Sequence, residues 1–431
     1  MVKLFEHQKK ALDITKGMNR VAYYLDMGLG KTFVGSEKAF GFGNDILVIC
    51  QKSKIKDWQN HFFTYYIDKM KCDESGAWCY DLTSNSGMDM FFHSRYKIKI
   101  GIINYELAWR RKELLNLKEF TLMLDESSLI QNQKAKQSKF ILKMQPKNVI
   151  LLSGTPCSGK YENLLSSINL LGWSISENVY NKQYVNWVKK DFDGCIHKII
   201  DKENPYKNVD RLKTKLREHG AVFMKTEECF DLPDQTFINQ FVPMSKEYKK
   251  FMKDCITTID GDELVGDTTL TKRLYCRQLC GQYSQYKLEA FKELVESTQD
   301  RLIVFYNFNA ELDALKKIAN LLERPISEVN GHCKDLEAYD QEDDSITFIQ
   351  YQAGAMGLNL QKANKIIYFT LTDKSELFEQ SKKRIHRIGQ SKACFYYILM
   401  CKGSVEEVIL QTLEMRKDFT DELFKEYEER K

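Results

Sequence analysis

Twice along this chain of 431 residues, short runs of β-branched and aromatic residues recur at intervals that carry helical patterning. The first series is 20–25 (RVAYYL), 46–50 (ILVIC), 98–103 (IKIGII), 121–125 (TLMLD) and 149–153 (VILLS). The second is 301–306 (RLIVFY), 345–351 (SITFIQY), 365–370 (KIIYFT) and 395–400 (FYYILM). Strands alternating with helices build a parallel sheet covered on both faces, so each series predicts one α/β lobe. Between them the texture is charged and studded with aromatics, as in NKQYVNWVKKDF and KNVDRLKTKLREHG, with a hint of strand only at FINQFV. The expected domains are therefore a first lobe at 1–160, a mostly helical insertion at 161–285, and a second lobe at 286–431. The last of these closes with an amphipathic helix whose Val405, Ile409, Leu410, Leu413 and Met415 pack on the second lobe.

Two lobes of this size need substantial cores, and an apolar share of 43% with 12% aromatic residues supplies them. No stretch approaches the roughly 18 consecutive apolar residues of a membrane span, and the opening MVKLFEHQKK has no apolar signal core. A soluble, intracellular protein is expected, cytoplasmic in a microbe or virus, with the nucleus open for a eukaryotic source. Twelve cysteines without a C-x-x-C pair fit thiols in a reducing compartment. Cys276 and Cys280 share a helical face, which reads as two buried thiols rather than metal ligands. A net charge of +4 is too small to argue for nucleic acid by itself.

Chemistry enters at Asp26-Met27-Gly28-Leu29-Gly30-Lys31-Thr32, directly after the first strand run and before a helical segment. Glycines let a loop curl so that its N–H groups converge on phosphate oxygens, and the following helix offers its positive end. Lys31 would sit on the outer phosphates and the Thr32 hydroxyl on Mg²⁺. Leu124-Asp125-Glu126-Ser127 then stands at the tip of an apolar strand. There Asp125 can hold Mg²⁺ while Glu126 accepts a proton from attacking water.

In wording and spacing these two elements resemble the Swi/Snf family of helicase-like ATPases, superfamily 2 motors that translocate on double-stranded DNA, and the likeness runs nearly end to end. The resemblance implies two RecA-like parallel-sheet lobes in tandem, with ATP and Mg²⁺ as cofactors and Met27, Gly28, Leu29 and Gly30 around the phosphates. It gives Gln8 the reading of adenine, and it makes Lys52 and Ser53, with the segment running to Trp58, a phosphate contact on DNA. Asn104-Tyr105-Glu106 is similar to the next block. Ser153-Gly154-Thr155-Pro156 matches the block that couples hydrolysis to DNA, its short hydroxyl side chains suited to bonding the Asp-Glu loop on one side and a phosphate on the other.

In the second lobe, Gln380, Arg384, His386, Arg387, Gly389 and Gln390 form Q-x-x-x-R-x-H-R-x-G-Q. Arg384 and Arg387 are three apart, so on one helical turn both guanidinium groups project to one side. Facing the γ-phosphate, such arginines contribute about 10³ to 10⁵ in rate. Gln352-Ala353-Gly354-Ala355-Met356-Gly357-Leu358-Asn359-Leu360 is similar to the family's Gly-rich block, with Gly357 near nucleotide and Asn359 and Gln380 in coupling to nucleic acid. Where the family usually has a tryptophan ahead of that arginine motif, this chain has Asp373. Arg277-Gln278, Phe305 with Phe308, and Leu232-Pro233 after Met224-Lys225 resemble smaller blocks.

These residues imply a motor in which ATP is clasped by Lys31 on one side and by Arg384 and Arg387 on the other. Its partner would be duplex DNA held through phosphates, hence tolerant of sequence and sensitive to salt. A monomer is expected, with room for a protein that targets it. The basic clusters Lys189-Lys190, Arg211 to Arg217 and Lys272-Arg273 read either as an extension of the DNA track or as solvated faces. Two other functions stay open at this point: a strand-separating helicase on DNA or RNA, and a catalytically weak nucleic-acid-binding scaffold.

Overall fold

The computed structural model describes residues 2–70, 74–192, 195–259, 261–354 and 358–425. They form two compact units, Met1–Cys229 with Asp418–Lys431, and Phe230–Lys417.

The strands of the first unit are β1 (Arg20–Leu25), β2 (Ile46–Cys50), β3 (Ala77–Asp81), β4 (Ile98–Asn104), β5 (Thr121–Asp125), β6 (Asn148–Leu152), β7 (Trp187–Phe192), β8 (Cys195–Ile200) and β9 (Ala221–Met224). Seven of them make one sheet in the order β3-β4-β2-β5-β6-β1-β9, with every neighbouring pair parallel. Val21 to Leu25, Ile46 to Cys50 and Leu122 to Leu124 are all buried. Continuous burial follows from helices on both faces. Because all strands run the same way, the segments after β4, β2, β5, β6 and β1 emerge side by side at one edge, where ligands of open α/β sheets bind. β7 and β8 form a separate antiparallel ribbon.

In the second unit, β10 (Gln235–Val242) comes before a small hairpin of β11 (Ile256–Ile259) and β12 (Asp262–Val265), and β13 (Leu302–Tyr306), β14 (Ile326–Val329), β15 (Lys334–Asp335), β16 (Ile346–Gln350), β17 (Lys365–Tyr368) and β18 (Cys394–Cys401) follow it. The large sheet runs β10-β18-β17-β13-β16-β14-β15 and is parallel except at β15. Side chains of β13 alternate between two cores: Leu302, Val304 and Tyr306 enter one, Ile303 and Phe305 the other.

The expected two-sheet architecture holds, and each of the nine expected strand runs is a strand. The segment read as insertion also supplies the lobes themselves: β9 pairs with β1, and β10 pairs with β18 over eight residues. A four-residue edge strand such as Ala221–Met224 has too little pattern of its own to announce itself. The last helix, Val405–Phe424, packs on the second unit as expected, and its end belongs to the first. Ile409, Leu410 and Leu413 are buried in a core of the second unit, while Leu423 and Phe424 belong to the core of the first. In the first unit its end is held by ion pairs, Lys213 to Glu422 at 2.9 Å and Lys225 to Asp421 at 3.1 Å. Arg217 donates to the Leu423, Phe424 and Lys425 carbonyls. Lys213 and Arg217, read from sequence as DNA track or solvated face, thus clasp the chain's own C-terminal segment.

Candidate active site

Residues 26–30 turn between β1 and α2 (Lys31–Phe42), and the turn requires its glycines: Gly28 has φ +87° and Gly30 +73°. A Cβ on Gly30 would also collide with the Gln8 side-chain amide. Gln8, on α1 (Glu6–Ile14), is buried against this loop, its Nε2 donating to the Leu29 carbonyl at 3.1 Å and its Oε1 accepting from Phe5 N–H at 2.9 Å. Lys31 opens α2 and places Nζ 3.0 Å from the Leu25 carbonyl and 3.4 Å from that of Asp26. Thr32 follows in the same helical turn. Met27 and Asp26 are pinned by a residue no local pattern pointed to: the Thr226 hydroxyl donates to Asp26 Oδ2 at 2.9 Å and to the Met27 carbonyl at 3.3 Å.

Two strands away, β5 ends at Asp125, and Glu126 adopts a left-handed backbone with φ +54° and ψ +61°. A non-glycine residue there costs roughly 1–2 kcal/mol, which its surroundings must offset. Three neighbouring segments do so. Trp58 on α3 (Ile55–Tyr65) donates its indole N–H to Asp125 Oδ2 at 2.8 Å. The Tyr105 hydroxyl, following β4, donates to the Asp125 carbonyl at 2.9 Å and to that of Glu126 at 3.4 Å. Ser153, following β6, donates to Glu126 Oε2 at 3.4 Å. Burial pushes the Asp125 carboxyl up, opposed by the Trp58 N–H and then by the charges of Lys31 and Lys54. Burial and the neighbouring carboxylates push the Tyr105 phenol well up, so it remains a donor.

The expected nucleic-acid residues of this unit separate into two groups. Lys52 and Ser53 are exposed in a single 3₁₀ turn just before α3. Asn104, Ser153 and Thr155 are buried. The Asn104 amide donates to Glu106 at 2.7 Å, and Ser153 Oγ accepts from the Thr155 N–H at 3.1 Å. Thr155 Oγ1 is buried with no hydrogen-bond partner among the described residues.

In the second unit the arginine motif is not helical where it was expected to be. The helix Ser375–Lys382 ends before Arg384, and residues 383–389 continue as turns and bends, with Gly389 at φ +95°. The arginines still converge, Arg384 donating to the Leu358 carbonyl at 3.4 Å and Arg387 at 3.5 Å. His386 bonds the Pro233 carbonyl at 2.9 Å, and Gln390 donates to the Gln361, Ala363 and Ile385 carbonyls. Gln380 is buried with its amide toward Glu376, and Asn359 is exposed. Gly357 lies outside the described residues.

The edge of the second sheet also carries a cavity of about 200 Å³, which the sequence did not announce. Arg277, Asn307, Gln350, Gln352, Asp373 and Lys374 contribute to its lining. Arg277 lies over the Phe308 ring at 5.4 Å and donates to the Leu371 carbonyl at 3.2 Å. Asp373 pairs with Arg273 at 3.6 Å.

The first unit fits a nucleotide with Mg²⁺. Two glycines at positive φ shape the turn ahead of α2, Lys31 stands at the helix start, and Thr32 and Asp125 offer the hard oxygen donors that Mg²⁺ takes.

Comparison with known proteins agrees with this geometry. Residues 9–285 match the SNF2-related domain and residues 286–389 the helicase conserved C-terminal domain. The chain is 24% identical to the probable ATP-dependent DNA helicase CHR12 of Arabidopsis thaliana, over 91% of this chain and 39% of that protein. It is 21% identical to the DNA repair and recombination protein RAD54-like of Drosophila pseudoobscura pseudoobscura, over 92% and 59%. With the ISWI chromatin-remodeling complex ATPase ISW1 of Saccharomyces cerevisiae it shares 24% over 93% and 38%. It thus spans roughly two fifths to three fifths of the length of these relatives. Among solved structures it is similar to the Sulfolobus solfataricus SWI2/SNF2 ATPase core in complex with dsDNA, at 20% identity and a TM-score of 0.46, covering 97% of this chain and 92% of that one.

Proposed function

Because this chain belongs to the SNF2-related family, we propose that it hydrolyses ATP when bound to duplex DNA and moves along the duplex. One observation carries the reading. The segments after β2, β4 and β6 each place a hydrogen bond on the Asp125–Glu126 pair, through Trp58, Tyr105 and Ser153. A shift in any of these segments changes the geometry of the hydrolytic carboxylates, which is a physical route from DNA contact to chemistry.

Lys31 leaves its two backbone carbonyls to meet phosphate, and the N–H groups of residues 28–32 and the start of α2 stabilise the negative charge. Thr32 and Asp125 would hold Mg²⁺, which would supply charge neutralisation at the transferring phosphoryl group. Glu126 takes the proton of the attacking water. Arg384 and Arg387 are the candidates for stabilising charge as the terminal phosphate leaves. Lys52 and Ser53, exposed beside α3, bind backbone phosphate, so association weakens with salt. The relatives' names, which include a DNA helicase and a DNA repair protein, support DNA as the partner.

Phosphate release with and without duplex DNA tests this. Lys31→Ala and Glu126→Gln are expected to abolish the DNA-stimulated rate, while Glu126→Gln still binds nucleotide. Unchanged turnover in either variant refutes the assignment. Displacement of a strand from forked DNA would instead support a strand-separating helicase.

A further inference from the structure

We propose that Trp58 is a positioning residue for the metal-holding carboxylate, and that it ties the Lys52–Lys54 turn, exposed at Lys52 and Ser53, to the Mg²⁺ requirement of the nucleotide site. The inference rests on the reading of Asp125 as a Mg²⁺ holder.

An aspartate carboxylate rotates with little resistance about its last bond, since that torsion is broad and roughly two-fold. Asp125 at the end of β5 would therefore present a poorly directed oxygen unless something held the other. The Trp58 indole N–H does this at 2.8 Å on Oδ2. Indole nitrogen is a donor only and cannot compete for a cation, so it fixes the carboxylate without blocking it. Trp58 is itself immobilised: it is buried, at 2% exposure, and packs its ring against His61 at 5.7 Å and Phe62 at 5.6 Å.

The same tryptophan sits in the first turn of α3, which starts directly after the turn carrying Lys52 and Ser53. Lys54 and Asp57 at this junction form an ion pair at 2.8 Å. Trp58 lies four positions beyond Lys54, about 6 Å of rigid rise, so a phosphate pulling on the turn displaces the indole nearly in register. Tyr105 and Ser153 cannot substitute for it: Tyr105 bonds backbone carbonyls and Ser153 bonds Glu126, whereas Trp58 alone among the described side chains hydrogen-bonds the Asp125 carboxylate.

The test replaces Trp58 in the full chain in two ways: Trp58→Phe, and 3-benzothienylalanine, which keeps the bicyclic shape but has sulfur in place of N–H. Binding of a fluorescent ATP analogue is titrated with Mg²⁺ at equilibrium, without turnover. Outer ligand partners of this kind are worth roughly 10- to 100-fold in metal affinity, and both replacements are expected to raise the half-saturating Mg²⁺ by at least about tenfold. Binding of the analogue in EDTA should match the unmodified protein. Phe62→Leu, which loosens the same ring packing without touching Asp125, should leave the Mg²⁺ dependence in place. A midpoint unmoved in both Trp58 replacements, or moved equally by Phe62→Leu, overturns the proposal. If Asp125→Asn also leaves the midpoint unmoved, the metal role of Asp125 fails and not merely the role given to Trp58.

Discussion

Glu311 offers a quantitative test of the wall beneath the second unit's cavity. It is fully buried in the first turn of the helix Asn309–Leu321. One oxygen, Oε2, accepts the Asn307 N–H at 2.8 Å, the Phe308 N–H at 3.1 Å and the Thr370 hydroxyl at 2.9 Å. The other, Oε1, is turned toward Gly281 and has no hydrogen-bond partner among the described residues. Burial therefore outweighs these donors and pushes the carboxyl from its ordinary 4.5 up to about 7. At about 1.4 kcal/mol for each tenfold change in proton affinity, that difference is worth about 3 kcal/mol. The sign follows from linkage: the folded state keeps the proton that the unfolded state gives up, so the contribution is fully present below pH 4.5 and is lost as pH rises through about 7. Glu311→Gln removes the titration while keeping an oxygen for the three donors. Native-state hydrogen exchange of the β13 amides, compared between wild type and variant at the same pH, cancels intrinsic exchange rates. Between pH 5 and pH 8 the wild type should lose about 2–3 kcal/mol relative to the variant. A gap that stays constant over that interval would show that the carboxylate is already ionised in the fold, and the reasoning from burial would be wrong.

Other perturbations give equally specific outcomes. Lys287 and Glu406 form a fully buried ion pair at 2.5 and 2.7 Å, so Lys287→Met should destabilise the second unit by roughly 3–5 kcal/mol in urea unfolding, whereas Lys287→Met with Glu406→Leu should recover most of it. Gly30→Ala, strained at φ +73° and colliding with Gln8, should lose nucleotide binding measured by the same fluorescent analogue while the far-ultraviolet circular dichroism is retained. Lys213→Met should expose the helix end around Glu422 to rapid hydrogen exchange, since it removes one of the ion pairs that hold this segment in the first unit.

How far the sequence reached depended on how local each feature was. Residues 26–32 and the Asp125–Glu126 pair were legible because a glycine turn and a strand-end carboxylate each need only a few contiguous residues. Arg384 and Arg387 were found by their string, yet their placement on a helix was wrong: spacing of three is compatible with a turn as well as a helix, and the helix ends at Lys382. Asn104 and Ser153 were found by their motifs, but that both are buried could be read only from the fold.

The amino-acid string alone thus determined the two sheets, the glycine turn at 26–30 and the strand-end carboxylates, because β-branched runs, glycine freedom and strand-end acids act over a handful of neighbours. Tertiary structure alone decided which side chains support them. Trp58 reaches Asp125 across 67 positions and Thr226 reaches Asp26 across 200, and β9 finds β1 only once the sheet exists. Hydrogen bonds of this kind are set by which strand ends lie side by side, and that adjacency comes into being when the chain packs.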